Sequence, residues 1–244
     1  MTSSIAVRLD SLRAAGLVRR ASERVDDPVE HSLPVVAALR PLLPGGCLRR
    51  GSTVSIGAAG AMNGNGFGAT SLLFGLLAEA SSAGSWCAAV GLPRLGLVAA
   101  AESGVATQRL ALVPHPGPDW VETVGALLDG LDIVVLATPG GVAPRLATRI
   151  AARARQRGAV LIAMGAWPGA DVTLDVVRGS WHGLGEGVGR LRRREVEVVT
   201  SGRGAAARAR RALLWLPGAA GTPEASTAVS IETYRTHEQR RRAS

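Results

Sequence analysis

Apolar residues recur near helical spacing at Ile5, Leu9, Leu12, Leu17 and Val18, with Arg and Asp between them, and predict an amphipathic helix over 4–23. Such a helix serves equally to pack on its own domain or to bind a partner. A polar stretch, 22–31, separates it from the rest. From Leu33 the pattern turns to short apolar runs. Val54 to Ile56 begins a strand, a glycine-rich run follows over 57–68, and an apolar helix is predicted over 72–80. Further strands are predicted at 86–90, 110–113, 132–137 and 160–164, with helices over 97–106, 120–129 and 144–157 between them. This alternation predicts an α/β fold, a mostly parallel sheet with helices on both faces.

After Gly169 the apolar period changes to two. The runs 172–177, 194–200 and 211–216 read as antiparallel C-terminal strands, with a turn at Ser201-Gly-Arg-Gly204 in the last pair. Beyond Pro217 the residues are small and polar and end in Arg240-Arg-Arg-Ala-Ser244. The predicted organisation is an N-terminal helix and linker over 1–32, a core over 33–218, and a disordered basic tail over 219–244.

Composition narrows the chemistry. The chain has 244 residues, 28 Arg, 19 acidic residues and no Lys, so neither a Schiff-base lysine nor a phosphate-loop lysine exists. Hydrophobic residues are 47% and aromatic residues 3%, so the core must be built from Ala, Val, Leu and Gly. Cys47 and Cys87 lie far apart without a C-x-x-C spacing, which points to two reduced, buried thiols. His31, His115, His182 and His237 show no metal-ligand spacing. Neither a secretory signal nor a membrane span is visible, and a cytoplasmic protein is the expectation.

Charge is uneven. Residues 1–140 carry 10 Arg and 11 acids, whereas 141–244 carry 18 Arg and 8 acids. The excess in the second part fits a polyanion, an acidic protein surface or plain solvation. Arg190, Arg192, Arg193 and Arg194 follow the glycine segment 183–189. With Arg203 and Arg208 they are the candidate contacts to DNA or a partner. Arg145, Arg149, Arg153 and Arg157 recur at i, i+4 and form a helical stripe, best read as a solvated face. The scarcity of Phe and Tyr argues against a base-stacking platform.

The strand, glycine loop and helix have the layout of a phosphate-binding loop. A working loop reads G-x-x-x-x-G-K-[ST], with amides cradling phosphate, Lys on the outer oxygens and a hydroxyl on Mg²⁺. Here the last positions are Gly68-Ala69-Thr70-Ser71, and the leading glycine would fall on Asn63. The residues of this vestigial loop are Gly64, Gly66, Gly68, Ala69, Thr70 and Ser71. The metal carboxylate expected at the end of a Walker-B strand is Ala137, while Asp132 begins that strand at its far end. No catalytic residue, metal or cofactor is therefore assigned, and ATP hydrolysis is not expected.

Two segments resemble the RecA family. Leu33-Pro-Val-Val-Ala-Ala-Leu-Arg-Pro-Leu-Leu-Pro-Gly-Gly-Cys-Leu-Arg-Arg-Gly51 is similar to the start of a RecA core, although Arg40 stands near the position of its aspartate. The stretch Asp171-Val-Thr-Leu-Asp-Val-Val-Arg-Gly-Ser-Trp-His-Gly-Leu-Gly, with Gly202-Arg-Gly-Ala-Ala-Ala-Arg and Leu214-Trp-Leu-Pro217, resembles the actinobacterial ImuA′-type branch. The likeness covers about residues 33–218. It implies a degenerate RecA-like P-loop core and an accessory role in the damage-induced (SOS) mutasome. There such proteins act with ImuB, an inactive relative of lesion-bypass polymerases, in error-prone translesion synthesis. The C-terminal part would help dock ImuB. RecA places a water-activating glutamate after the second strand, but here that segment reads Ala89-Val90-Gly91-Leu92-Pro93. Alternatives are a DNA-binding modulator of recombination and an ATPase with an atypical loop. Losing the nucleotide site removes ATP-gated filaments but leaves other self-association open.

Overall fold

The computed structural model describes residues 31–58, 68–137, 141–185 and 188–226. The predicted N-terminal helix lies outside them, as do Gly64 and Gly66. The chain divides after Ser32, and the elements below belong to Leu33–Ser244.

Uninterrupted apolar runs become strands buried on both faces in β2 (Cys87–Val90), β4 (Ile133–Ala137) and β5 (Val160–Met164). Strand β1 (Thr53–Ala58) is a central strand that also buries Thr53 and Ser55, and β3 (Leu110–Val113) is the sheet edge, with Leu112 exposed. Two long strands follow, β6 (Val172–Gly185) and β7 (Val188–Gly202), then β8 (Arg210–Trp215) and the short β9 (Glu224–Ala225). Among the described residues the main sheet has the order β9-β8-β7-β6-β1-β5-β4-β2-β3. The strands from β3 through β6 are parallel to their neighbours. Those from β6 through β9 pair antiparallel. The sheet is thus mixed, as expected.

Side-chain alternation sorts two cores onto opposite faces. Ile133, Val135, Val160 and Ile162 join the larger core, whereas Val134, Leu136, Leu161 and Ala163 join the smaller one. The larger core is organised by α1 (Ala69–Ser82), in which Leu72, Leu73, Leu76 and Leu77 are fully buried. A helix apolar on all sides belongs inside, and α1 shares this core with Leu174, Val176, Val196, Val198 and Leu214 of the antiparallel strands. A short helix, α2 (Leu97–Glu102), adds Ala100 to this face. The smaller core is covered by α3 (Trp120–Gly130) and α4 (Pro144–Arg157) through Val124, Leu128, Ala147, Ile150 and Ala154. Pro144 opens α4 and Gly158, at φ 68°, closes it. Among the described residues no helix is long and apolar enough to cross a membrane.

Three expectations need correction. The strands predicted at 172–177 and 194–200 are the inner parts of a much longer hairpin. The glycine segment 183–189 lies at its tip, where Leu184 pairs with Gly189 and Gly185 with Val188. The tail predicted disordered from 219 continues as ordered backbone at least to Ser226. Glu224 and Ala225 pair with Trp215 and Leu214, and the buried Pro223 fits over Gly75 of α1. Of the two thiols predicted buried, Cys87 is, but Cys47 is only half-buried.

Candidate functional site: the glycine-loop edge and the basic hairpin

The C-terminal edge of the parallel strands is where an open α/β sheet binds ligands. β1 leads into the glycine-rich run there, and α1 leaves it. Gly68 precedes α1 at φ 81°, a left-handed conformation that favours glycine. Among the described residues no side chain caps α1. Thr70 is exposed and Ser71 half-buried on the first turn.

A cation stands at this helix start, but it comes from another strand. A Cβ built on Gly68 would lie 2.5 Å from Arg194 Nη2 of β7. Burial lowers the pKa of the Arg194 guanidinium, and among the described residues its buried Nε has no hydrogen-bond partner. Trp181 of β6 flanks the guanidinium, with the ring centroid 5.0 Å from its Cζ. A positive group at a helix N-terminus meets the positive end of the helix dipole, so Arg194 is held there by packing and not by the local field.

One carboxylate lies on the same edge. Asp175 of β6 pairs in register with Gly57 of β1, and any side chain at 57 would overlap its Oδ1. Burial raises the pKa of this carboxyl. Asp175 was not singled out by the sequence. Its period-two placement in 172–176 marks it as facing away from Leu174 and Val176, but its approach to Gly57 depends on strand pairing.

The Walker-B position, Ala137, ends β4 beside Met164 of β5. Gly91, which follows β2 at φ 73°, passes so close to the Ala137 carbonyl that any Cβ at 91 would overlap it. This backbone crossing leaves no room for a side chain at 91. Asp132 sits at the opposite edge, where Oδ1 accepts from Arg50 Nη1 at 2.7 Å and Oδ2 accepts from the Trp86 amide at 2.9 Å. It ties that edge together. Among the described residues no group of three His, Cys, Asp or Glu could hold a metal ion.

The predicted arginine contacts do not form one patch. Neighbours on a strand face opposite ways. Arg194 turns to the α1 side, while Arg193 turns to the other and lies over the Trp215 ring, 4.2 Å from its centroid. His182 meets the same ring edge-on at 4.9 Å. Arg190 and Arg192 lie on β7 near the hairpin tip. Arg203 is about 36 Å from Arg192 along the strand at ~3.3 Å per residue, where it donates to the Gly169 carbonyl. Arg208 is exposed in the connection to β8. In the α4 stripe, Arg153 and Arg157 both pair with Asp129 of α3, at 2.6 and 3.1 Å. That half of the stripe fastens α4 to α3. Trp181 is 48% exposed.

Fold and site together define an α/β protein with a large mixed sheet, a glycine turn into a buried helix, and an arginine from a neighbouring strand seated at that turn. The chain belongs to the family described as the MT3502 N-terminal domain, whose model matches residues 41–169, over half of the chain. It is also 44% identical over 109 residues to the uncharacterized protein Rv3395c of Mycobacterium tuberculosis (strain ATCC 25618 / H37Rv). That alignment covers 44% of this chain and 53% of the relative, so the chain spans about half the length of the curated relative it matches.

Proposed function

We propose that the chain is a non-catalytic, RecA-like accessory protein of error-prone translesion synthesis, acting through contacts to an inactive Y-family polymerase homologue of the ImuB type. The observation that carries this reading is the occupant of the α1 start. Where a phosphate loop offers free amides and a lysine, this chain has Gly68-Ala69, with the guanidinium of Arg194 against Gly68. Phosphoryl transfer further needs a metal carboxylate and a group to orient water. The corresponding positions are Ala137 and the sterically closed Gly91. A sheet that keeps its strands and helices without these groups is suited to holding macromolecules. The antiparallel strands β6–β8 are rich in Arg, which suits that contact. The RecA resemblance supplies the mutasome context.

Two assays test this. Full-length chain is expected to co-purify with an ImuB-type partner, and a form truncated after Leu216 to bind less. Mg²⁺-dependent phosphate release is expected at background, unchanged by Thr70→Ala. Failure of the full chain to bind, or robust ATP turnover, overturns the proposal.

A second reading, a DNA-binding modulator of recombination, draws on the Arg193–Trp215 and Arg194–Trp181 stacks on the hairpin. Together they offer cations beside aromatic faces, although the two pairs lie on opposite faces of the strand. Affinity for single- and double-stranded DNA over a salt series distinguishes the two readings. An absence of binding at ~50 mM salt eliminates this one.

A further inference from the structure

A charged cavity of about 350 Å³ lies at the N-terminal edge of β1 and β6, the opposite edge from the glycine turn. Its walls are the segment before β1, the last turn of α4, and the turn after β7. Among the described residues, Arg49, Arg50, Arg155 and Arg203 line it, against a single carboxylate, Asp171. Arg50 is committed to Asp132 at 2.7 Å. Asp171 Oδ2 accepts from the Thr53 amide at 2.9 Å. Its Oδ1 stands 3.8 Å from Arg203 and 4.0 Å from Arg155, ion-pair distances too long for hydrogen bonds. Among the described residues, the guanidiniums of Arg49 and Arg155 make no hydrogen bond. With Arg50 set aside, Arg49, Arg155 and Arg203, whose Nη2 also donates to the Gly169 carbonyl, face one carboxylate in a concave site.

Guanidinium groups bind phosphate oxygens through paired N–H donors, and such charge-assisted bonds are the strong ones. A cavity of this size is at the small end of ligand pockets, which run from about 300 to 1,000 Å³. Its recess suits a small molecule better than a duplex. Oδ1 of Asp171 adds an acceptor beside the cations. We infer that this cavity binds a small phosphorylated molecule, with Arg49, Arg155 and Arg203 holding the phosphate and Asp171 Oδ1 accepting from a neighbouring hydroxyl. The inference is independent of the glycine turn and of the mutasome reading.

The chain carries its own reporter, because the half-buried Cys47 lines the same cavity. Calorimetry on the full chain at ~150 mM salt with pyrophosphate, ribose 5-phosphate and a short DNA duplex tests the assignment. Saturable binding of ribose 5-phosphate or pyrophosphate is expected, weakened at least tenfold in Arg155→Gln/Arg203→Gln. Alkylation of Cys47 in the unaltered chain is expected to slow several-fold at saturating probe, a readout that does not depend on the variant folding. The assignment fails if neither small probe binds saturably, if only the duplex binds, if the folded variant binds as well as the parent, or if Cys47 is alkylated at an unchanged rate.

Discussion

The guanidinium of Arg194 on β7 lies against Gly68, the residue that starts α1, with 2.5 Å between Nη2 and the place a Cβ would occupy. The two are joined by a sheet pairing and a helix start remote in sequence. Gly68 is constrained twice, by its φ of 81° and by this guanidinium. Gly68→Ala is expected to destabilise the chain by about 1–3 kcal/mol in urea unfolding. Part of that cost belongs to the clash. The Gly68→Ala/Arg194→Ala pair should therefore cost less than the sum of the single changes. Strict additivity would mean that Arg194 does not hold this position.

Asp129 makes the α3–α4 contact sensitive to acid. The hydrogen bond from Arg153, with the charges of Arg153 and Arg157, lowers its pKa from 3.8 to about 2. A carboxyl depressed in the folded chain contributes stability in full above its ordinary value, and loses it as pH falls toward the folded value. Melting curves of the parent and Asp129→Asn should differ by a small constant amount from neutral pH to about 4, then converge near pH 2. The pair is solvent-exposed, so the difference should also shrink at high salt.

Asp175 has the opposite sign. Burial against β1 raises its pKa, so its ionised form opposes folding at neutral pH, and the penalty fades as pH falls through the raised value. Asp175→Asn should melt above the parent at pH 7 and lose that advantage as pH falls through the raised value toward the ordinary 3.8. A variant melting below the parent at pH 7 would show that the carboxylate is satisfied in place.

The two thiols should behave differently. Burial, with a smaller contribution from Asp132, pushes Cys87 up to about 12. Because the thiolate is the nucleophile, Cys87 should resist alkylation in the native chain while the half-buried Cys47 reacts. Counting thiols by mass should give one label per chain under native conditions and two in denaturant.

Much of the parallel half was legible along the chain. Cys87–Val90, Ile133–Ala137 and Val160–Met164 are unbroken apolar runs, which strands covered on both faces require. Pro144 and Gly158 bracket α4 because one fixes φ at a helix start and the other accepts the left-handed turn at its end. The long hairpin was only half legible. Arg178, Gly179 and Gly183 interrupt the alternation of β6, and the tip is held by backbone ladder pairing, which needs no apolar pattern. The ordering of 219–226 was hidden for a related reason. Polar and small residues read as a tail, yet Pro223 is buried over Gly75 and Glu224 joins the sheet edge.

By itself the sequence determined which charged groups are missing: no Lys anywhere, Ala at 69, Ala at 137 and no acid after β2. It also determined the parallel αβ pattern, since burial on two faces demands continuous hydrophobicity. Only the tertiary structure decided where the remaining charges meet. Consecutive arginines on a strand point to opposite faces, so Arg193 and Arg194, adjacent in the chain, go to Trp215 and to the α1 start. The convergence of Arg49, Arg155, Arg203 and Asp171 around one cavity depends on four separate segments ending at the same sheet edge. Strand order and register set such meetings, because the forces that fix them are long-range in sequence and short-range in space.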